Sequence, residues 1–269
     1  MIDSINLKPI GIVHNNFVDP GKVKIFVEHS TIEIFPEYFD AMERMTEHSH
    51  IWVLGWFHKA ERDTLKVTPR INKNLPEHGV FGLRAFSRPN PIGLTVVKLE
   101  EVNDRMITVS GLDFIDGTPV LDIKPYYDND VVFSPGTPYI RPADPKMLEN
   151  IFMVHARNHH QEECEHLQLA VKMAILAEKE MGKLTSEDIK IKVIGSACLG
   201  DAIQGITKAR IANPRRFFFE ERNDEAVSIW QKGSKVITIS LKNDADIKGM
   251  KDKPAEQLLE MDMVDKDKA

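Results

Sequence analysis

Two Pro/Gly-rich turns between Arg84 and Tyr126 hold more polar side chains than tight connections need. The stretch opens RAFSRPNPIGL and closes DGTPVLDIKPY. The turns SRPNPIG and DGTP bracket two apolar alternating runs, and such turns normally only punctuate a fold. These also carry Arg84, Ser87, Arg88, Asn90, Asp116, Thr118 and Asp122. Pro89 and Pro91 fix φ at two positions and remove two backbone donors, which stiffens the chain around Asn90. A stiff loop that presents two arginines, an amide and a hydroxyl suits ligand binding, because little entropy is lost when it binds. The plainer reading is a barrel corner whose arginines pair with nearby aspartates. Asp116 also suits a turn position on its own account. The residues alone leave both readings open.

A second group is thiol and imidazole. His159, His160, Cys164, His166 and Cys198 have the residue types of a zinc-type site. On one continuous helix His160 and Cys164 would be i and i+4, on one face, with Cys198 meeting them from the next strand end. Glu162 and Glu165 would compete for the metal or lie behind its ligands. The alternative is a solvated, polar helix start with one buried thiol.

The elements that must position these groups differ between the halves. Residues 9–14 (PIGIVH) read as a first strand and Asn15–Lys22 as a turn-rich loop. Lys24–Phe35 alternates loosely, as one or two strands would. Pro36–Thr46 has a Pro start with Tyr38, Met42 and Met45 at helical spacing. His50–Phe57 is almost wholly apolar and reads as a central strand. Trp52 and Trp56 share one of its faces by period two and are expected in the core. Val80–Leu83, Ile92–Glu101, Met106–Phe114 and Val120–Ile123 read as further strands. Six or seven short strands with one short helix imply a closed or nearly closed β-barrel. Prolines crowd Ser134–Pro145, so residues 1–140 are expected to form a mainly-β barrel domain and 141–243 an α+β domain. In the second, Lys146–Met181 has helical periodicity with Gly182 as its stop. Ile189–Ile194, Arg216–Glu220, Val227–Gln231 and Lys235–Leu241 read as strands, and a helix spans Leu199–Thr207. Residues 244–269 read as a charged, mobile tail or a short docking helix.

Composition sets outer bounds. The chain has 269 residues, 42% hydrophobic and 28% charged, which suits one large or two ordinary globular domains. The formal net charge of −6 argues against a strongly basic nucleic-acid footprint, although clustering can still create a local basic patch. Two cysteines make no disulfide framework and suit a reduced, cytoplasmic protein. No apolar run reaches membrane-spanning length and the N-terminus has no apolar signal core, so no membrane partner is expected.

Three blocks in order resemble the TrmO family of S-adenosylmethionine-dependent tRNA methyltransferases. They are His48–His58 (HSHIWVLGWFH), Leu83–Leu94 (LRAFSRPNPIGL) and Asp116–Tyr126 (DGTPVLDIKPY). The resemblance covers about residues 8 to 135. It implies a barrel that binds S-adenosyl-L-methionine on its two Pro/Gly loops. The residues so implied are Arg84, Ser87, Arg88, Asn90, Asp116, Thr118, Leu121 and Asp122. An arginine suits the cofactor's carboxylate, and an aspartate its cation or ribose. The resemblance also implies a homodimer and, as acceptor, the exocyclic amine of a modified adenosine beside the tRNA anticodon. His50 and Tyr126 are then the candidates to position that acceptor or take its proton. A hydrogen-bonded structural histidine heading a strand is the competing reading of His50. The Pro-Arg-Gln segment usual in the family is absent from Phe17–Lys24. That departure, with the acidic charge, keeps a small-molecule acceptor as the alternative to tRNA.

The second half resembles the domain named for the E component of formylmethanofuran dehydrogenase. It carries the helix HLQLAVKMAILAEKEMG and the block ACLGDAIQ from Ala197 to Gln204. Of the family's HxHxCPG motif Cys164 is kept, Glu162 stands where the second His belongs, and the Pro-Gly is lost. The family's third Cys falls on Ala209. The set implied for zinc or another transition metal is His160, Cys164 and Cys198. Such a metal could hold a thiolate or small-molecule substrate for methylation. A third reading makes the chain a non-catalytic regulator that binds S-adenosylmethionine or metal.

Overall fold

Strand β3, His50–Trp56, is the hub of the first half, with one antiparallel neighbour on each side. We describe a computed structural model covering residues 5–20, 27–242, 245, 247, 249–250, 253–265 and 267. The other strands of this half are β1 (Gly11–His14), β2 (Ser30–Ile34), β4 (Lys66–Val67), β5 (His78–Gly79), β6 (Ile92–Asn103), β7 (Met106–Ser110) and β8 (Pro119–Pro125). Six of them close into an antiparallel barrel in the order β1-β2-β7-β6-β3-β8, while β4 and β5 pair apart as a small ladder. The interior is filled by alternating β-branched residues, among them Val13, Ile32, Ile51, Val53, Val97, Ile107 and Val120.

One constraint shapes the barrel's end. Gly55 and Gly93 are partners across β3 and β6. The Phe57 and Phe114 rings meet edge to face, 5.2 Å between centroids. A Cβ on Gly93 would lie 2.4 Å from Phe57 and 2.7 Å from Phe114, and one on Gly55 would lie 2.5 Å from Phe114. The two glycines therefore vacate the volume that the two rings fill.

Several local expectations are corrected. Residues 24–26 of the alternating stretch lie outside the described residues, and the strand there is only Ser30–Ile34. Pro36–Met42 and Met45–Glu47 are 3-10 turns and not one helix, because Arg44 between them adopts a left-handed φ of 64°. Tyr38, Met42 and Met45 still pack on the barrel core. Val80–Gly82 is also a 3-10 turn and not a strand. Trp52 and Trp56 are not core residues. The inward phase of β3 belongs to Ile51, Val53 and Gly55, which leaves both indoles half-buried on the outer face.

The compact units are Met1–Pro69 with Leu75–Val131, and Arg70–Asn74 with Val132–Ala269. In the second, helices α2 (Glu165–Met181) and α3 (Ala197–Thr207) pack on a five-stranded sheet, and α1 (Pro145–His160) packs on those two helices. Its strands are β9 (Ile189–Gly195), β10 (Phe217–Glu221), β11 (Val227–Lys232), β12 (Lys235–Leu241) and β13 (Leu259–Asp265), in the order β10-β9-β11-β12-β13. β9 and β10 run parallel and the remaining pairs antiparallel. The core includes Leu167, Met173, Leu199, Ile191, Trp230 and Ile237. The stretch read as a charged tail contains a short helix α4 (Ala255–Leu258) and then β13, an edge strand whose side chains are mostly exposed. Its acidic residues, of types depleted in strands, and the charged residues around it are what make it read as a tail.

Glu178, buried on α2, receives Arg141 through two hydrogen bonds of 2.6 and 2.9 Å and the Tyr139 hydroxyl as a third donor. Burial pushes its carboxyl up, but Arg141 and Tyr139 outweigh it and hold the group below the usual carboxylate range.

Two outcomes are expected. Gly93→Ala should destabilise the first unit by about 2 kcal/mol in chemical denaturation, because the new methyl overpacks two aromatic rings. Glu178→Ala should destabilise the second by about 2 kcal/mol. A depressed folded pKa contributes stability in full above the unfolded carboxylate value. The gap between wild type and Glu178→Ala should therefore narrow as pH falls through the depressed value.

Candidate functional site

The loops at the Trp56 end of the barrel converge. Phe57 N–H donates to Pro91 O at 2.8 Å, and Arg88 N–H to Glu61 O at 3.1 Å, which ties the SRPNP loop to the exit of β3. The Arg88 guanidinium is turned inward on its own loop. It donates to Ala85 O at 2.7 Å, Val80 O at 2.8 Å and Leu83 O at 2.5 Å. Arg62 donates to Pro89 O at 3.3 Å while its guanidinium lies 5.3 Å over the Trp56 ring.

The DGTP turn is built as tightly. Gly117 takes a φ of 74° that favours glycine, and its N–H donates to Val13 O at 2.8 Å. Thr118 is fully buried and its hydroxyl donates to Ile115 O at 2.7 Å. Asp116 Oδ1 accepts from Asn15 N–H at 3.0 Å. The Asn15 amide donates to Ser30 Oγ at 3.1 Å and Phe114 O at 2.9 Å, so one side chain fastens the first loop to the turn. Lys59 Nζ donates to Val18 O at 2.9 Å.

The expected cofactor residues thus fall into two groups. Arg88 through Nε and Nη2, Asp116 through Oδ1 and Thr118 through its hydroxyl help to build the loops. Arg84 and Asn90 are exposed and Ser87 is half-buried, and among the described residues their side chains have no hydrogen-bond partner. Leu121 is the extra residue where the β3–β8 register shifts between Leu54 and Gly55. Asp122 faces outward in an ion pair of 2.7 Å with Lys124. Asn15, His58, Lys59 and Arg62 are neighbours that sequence reasoning missed. The signal that could have found them is that His58 and Lys59 directly continue the apolar strand. Desolvation first, then the Lys59 charge, holds the His58 imidazole below its ordinary pKa.

His50 and Tyr126 lie elsewhere. Tyr126 N–H donates to His50 O at 3.1 Å, and the rings are 6.4 Å apart. Trp52 completes an outward-facing aromatic group, 5.7 Å from Tyr126. This group stands at the start of β3, whereas the loops above stand at its end. Six steps of about 3.3 Å separate His50 from Trp56, roughly 20 Å. Within one chain the two sets do not form one site. Near the His50 end, a cleft of about 480 Å³ opens among Tyr38, Met42, Met45, Ile51, Ile123 and Arg44.

In the second unit, His160, Cys164 and Cys198 place one donor atom each within 4.8 Å of one another. They do not share a helix. His160 ends α1, Cys164 is the N-cap of α2, and Cys198 lies in the first turn of α3. Gln161, left-handed at a φ of 63°, turns the chain so that the i, i+4 pair meets across a helix break. Asp201 Oδ2 pairs with His160 Nδ1 at 2.9 Å and Oδ1 with His159 Nε2 at 3.2 Å. That leaves His160 Nε2 directed at Cys164 Sγ, 3.5 Å away. Burial, then neighbouring Cys164, pushes the Cys198 thiol up. A divalent cation held by this trio would favour the thiolate form of the cysteines. Two thiols and an oriented imidazole fit zinc or a related transition metal. His166, Glu162 and Glu165 lie outside the trio, and Ala209, fully buried, offers no side-chain donor.

Comparison with known proteins agrees with both halves. The family model of the tRNA-methyltransferase O N-terminal domain matches residues 17–130. That of FmdE, molybdenum formylmethanofuran dehydrogenase operon, matches residues 159–268. A "Probable S-adenosyl-L-methionine-binding protein" of Archaeoglobus fulgidus is 34% identical over 220 residues, which cover 78% of this chain and 60% of that protein. The protein of the same name from Methanothermobacter thermautotrophicus is 45% identical over 129 residues, 46% of this chain and 92% of that one. The crystal structure of TrmO from Pseudomonas aeruginosa has 34% identity and a TM-score of 0.42, covering 52% of this chain and 64% of the other. The two family-model matches and the Methanothermobacter relative, covered over 92% of its length, place the chain in the TrmO-like family of S-adenosylmethionine-dependent methyltransferases, with an FmdE-type unit following the barrel.

Proposed function

We propose that the chain transfers a methyl group from S-adenosylmethionine bound on the loops at the Trp56 end of the barrel. One observation carries this reading: the proline-stiffened loop holds Arg84, Ser87 and Asn90 with their polar atoms uncommitted, beside a DGTP turn anchored by Asn15 and Asp116. Arg84 suits the cofactor's carboxylate and Asn90 its polar edges. Arg88, Asp116 and Thr118 act indirectly, by keeping the loops in shape. Bound there, the cofactor supplies a sulfonium methyl already activated for in-line displacement, and the chain's task is alignment.

The acceptor we favour is the exocyclic amine of a modified adenosine beside a tRNA anticodon. The name of the matching family model, tRNA-methyltransferase O, supports it. The working form is a homodimer. His50 and Tyr126 lie a strand's length from the loops of their own chain, so they serve the reaction only if a second copy brings them to those loops. A cytoplasmic setting suits the two free thiols. In the described residues no helix is long and apolar enough to cross a membrane. The second reading, favoured by the His160–Cys164–Cys198 trio, replaces tRNA with a small molecule or thiol held on a metal in the FmdE-type unit.

Calorimetric titration of the full chain with S-adenosylmethionine, followed by methyl transfer to unfractionated tRNA, tests this. Arg84→Ala should weaken donor binding at least tenfold, the size of a lost charge-assisted hydrogen bond. Label should enter tRNA, and less of it as salt rises. Donor binding without label in tRNA would favour the second reading, and donor binding without turnover on any acceptor would favour a regulator. No donor binding would refute the methyltransferase reading.

A further inference from the structure

Two residues of the metal trio, His160 and Cys198, line a cavity of about 510 Å³. Asp201 and Gln204 of α3 line it as well. Ile211, Phe217 and Phe219 supply its apolar lining. Gly200 lets the Phe219 ring pack onto α3, since a Cβ there would meet that ring at 2.7 Å. A four-coordinate metal held by these three residues would have one position left for a ligand, as in ligand-binding centres and unlike closed structural ones.

Three features narrow what fills that position. Two thiolates already make the site soft, which favours a further sulfur over oxygen. Cys164 caps the 17-residue α2, and Cys198 sits in the first turn of the 11-residue α3. Both helix N-termini therefore turn their partial positive charge toward the sulfurs and help the site carry an additional anionic donor. Among the described residues no Lys or Arg lines the cavity, and the carboxylate that does, Asp201, is committed to His159 and His160. A ligand with its own carboxylate or phosphate would go unpaired there.

We propose that this centre binds a thiol with an uncharged aromatic or apolar body. The thiol would lose its proton to solvent, its sulfur would replace water at the open metal position, and its body would lie against Phe217 and Phe219. The inference rests on the metal-centre reading of this unit and is independent of donor binding by the barrel.

The full chain loaded with cobalt(II) in place of zinc gives a direct readout, the thiolate-to-metal charge-transfer band. Phenylmethanethiol should raise that band by about half, from two thiolates to three. Phenylmethanol should leave it unchanged, and 4-(mercaptomethyl)benzoic acid should bind at least tenfold more weakly. Phe219→Ala should weaken phenylmethanethiol about tenfold, with cobalt affinity held near wild type as the check that the unit is folded. Phe219→Leu should fall between the two. Stoichiometric cobalt with a band unmoved by phenylmethanethiol would overturn the proposal and leave the metal centre standing. Equal binding of the charged thiol, with no effect of either Phe219 variant, would overturn the uncharged-body part. Failure of cobalt to bind would overturn the proposal together with the metal reading.

Discussion

Two phenyl rings wedged over two glycines fix the working end of the barrel. Phe57 and Phe114 fill the volume that Gly55 and Gly93 leave open, and no larger residue fits at either glycine without displacing a ring. The contact pins the exit of β3 to the entrance of β6. The SRPNP loop leads into that entrance, and Phe57 N–H is bonded to Pro91 O. Phe114 leads into the DGTP turn, and its carbonyl accepts from Asn15. Three loops thus take their positions from one buried aromatic contact, and their polar side chains inherit its rigidity.

The same division between builders and presenters recurs in the second unit. Asp201 orients His160 as Arg88 shapes its loop, through hydrogen bonds that never leave the protein. The trio draws on one helix C-terminus and two helix N-termini. Ends of elements gather in both units because only there does the chain offer uncommitted polar groups without breaking a ladder or a helix.

The barrel and the two loops are legible in the sequence because alternation and Pro/Gly punctuation are local signals. The split of the loop residues is not. Arg84 and Arg88 look equivalent in sequence, and only the loop's three-dimensional path shows that Arg88 faces its own carbonyls. Period two puts Trp52 and Trp56 together correctly but does not say which face is inside. The small Gly55 in the opposite phase, with room for Phe114, decides that. Motif groups His50 and Tyr126 with the loops, although a strand's length stands between them. His160 and Cys164 do pair, for a different reason than helical spacing, since a left-handed Gln161 breaks the helix between them. The run from Leu259 to Asp265 alternates apolar and acidic residues, but Glu and Asp are depleted in strands, and its pairing with β12 is a tertiary contact that no local pattern reports.

That edge strand also bears on colloidal behaviour. Among the described residues β13 pairs with a strand on one side only, and an unpaired row of backbone donors and acceptors is the usual starting point for runaway sheet growth. Glu260, Asp262 and Asp265 are spread along it. A second β13 laid antiparallel about its centre would bring Asp262 against Asp262, and one laid parallel in register would bring every carboxylate against its like. Charge repulsion along this rim thus guards the sheet against stacking end on end with itself, even though Met261 and Met263 stand exposed beside it.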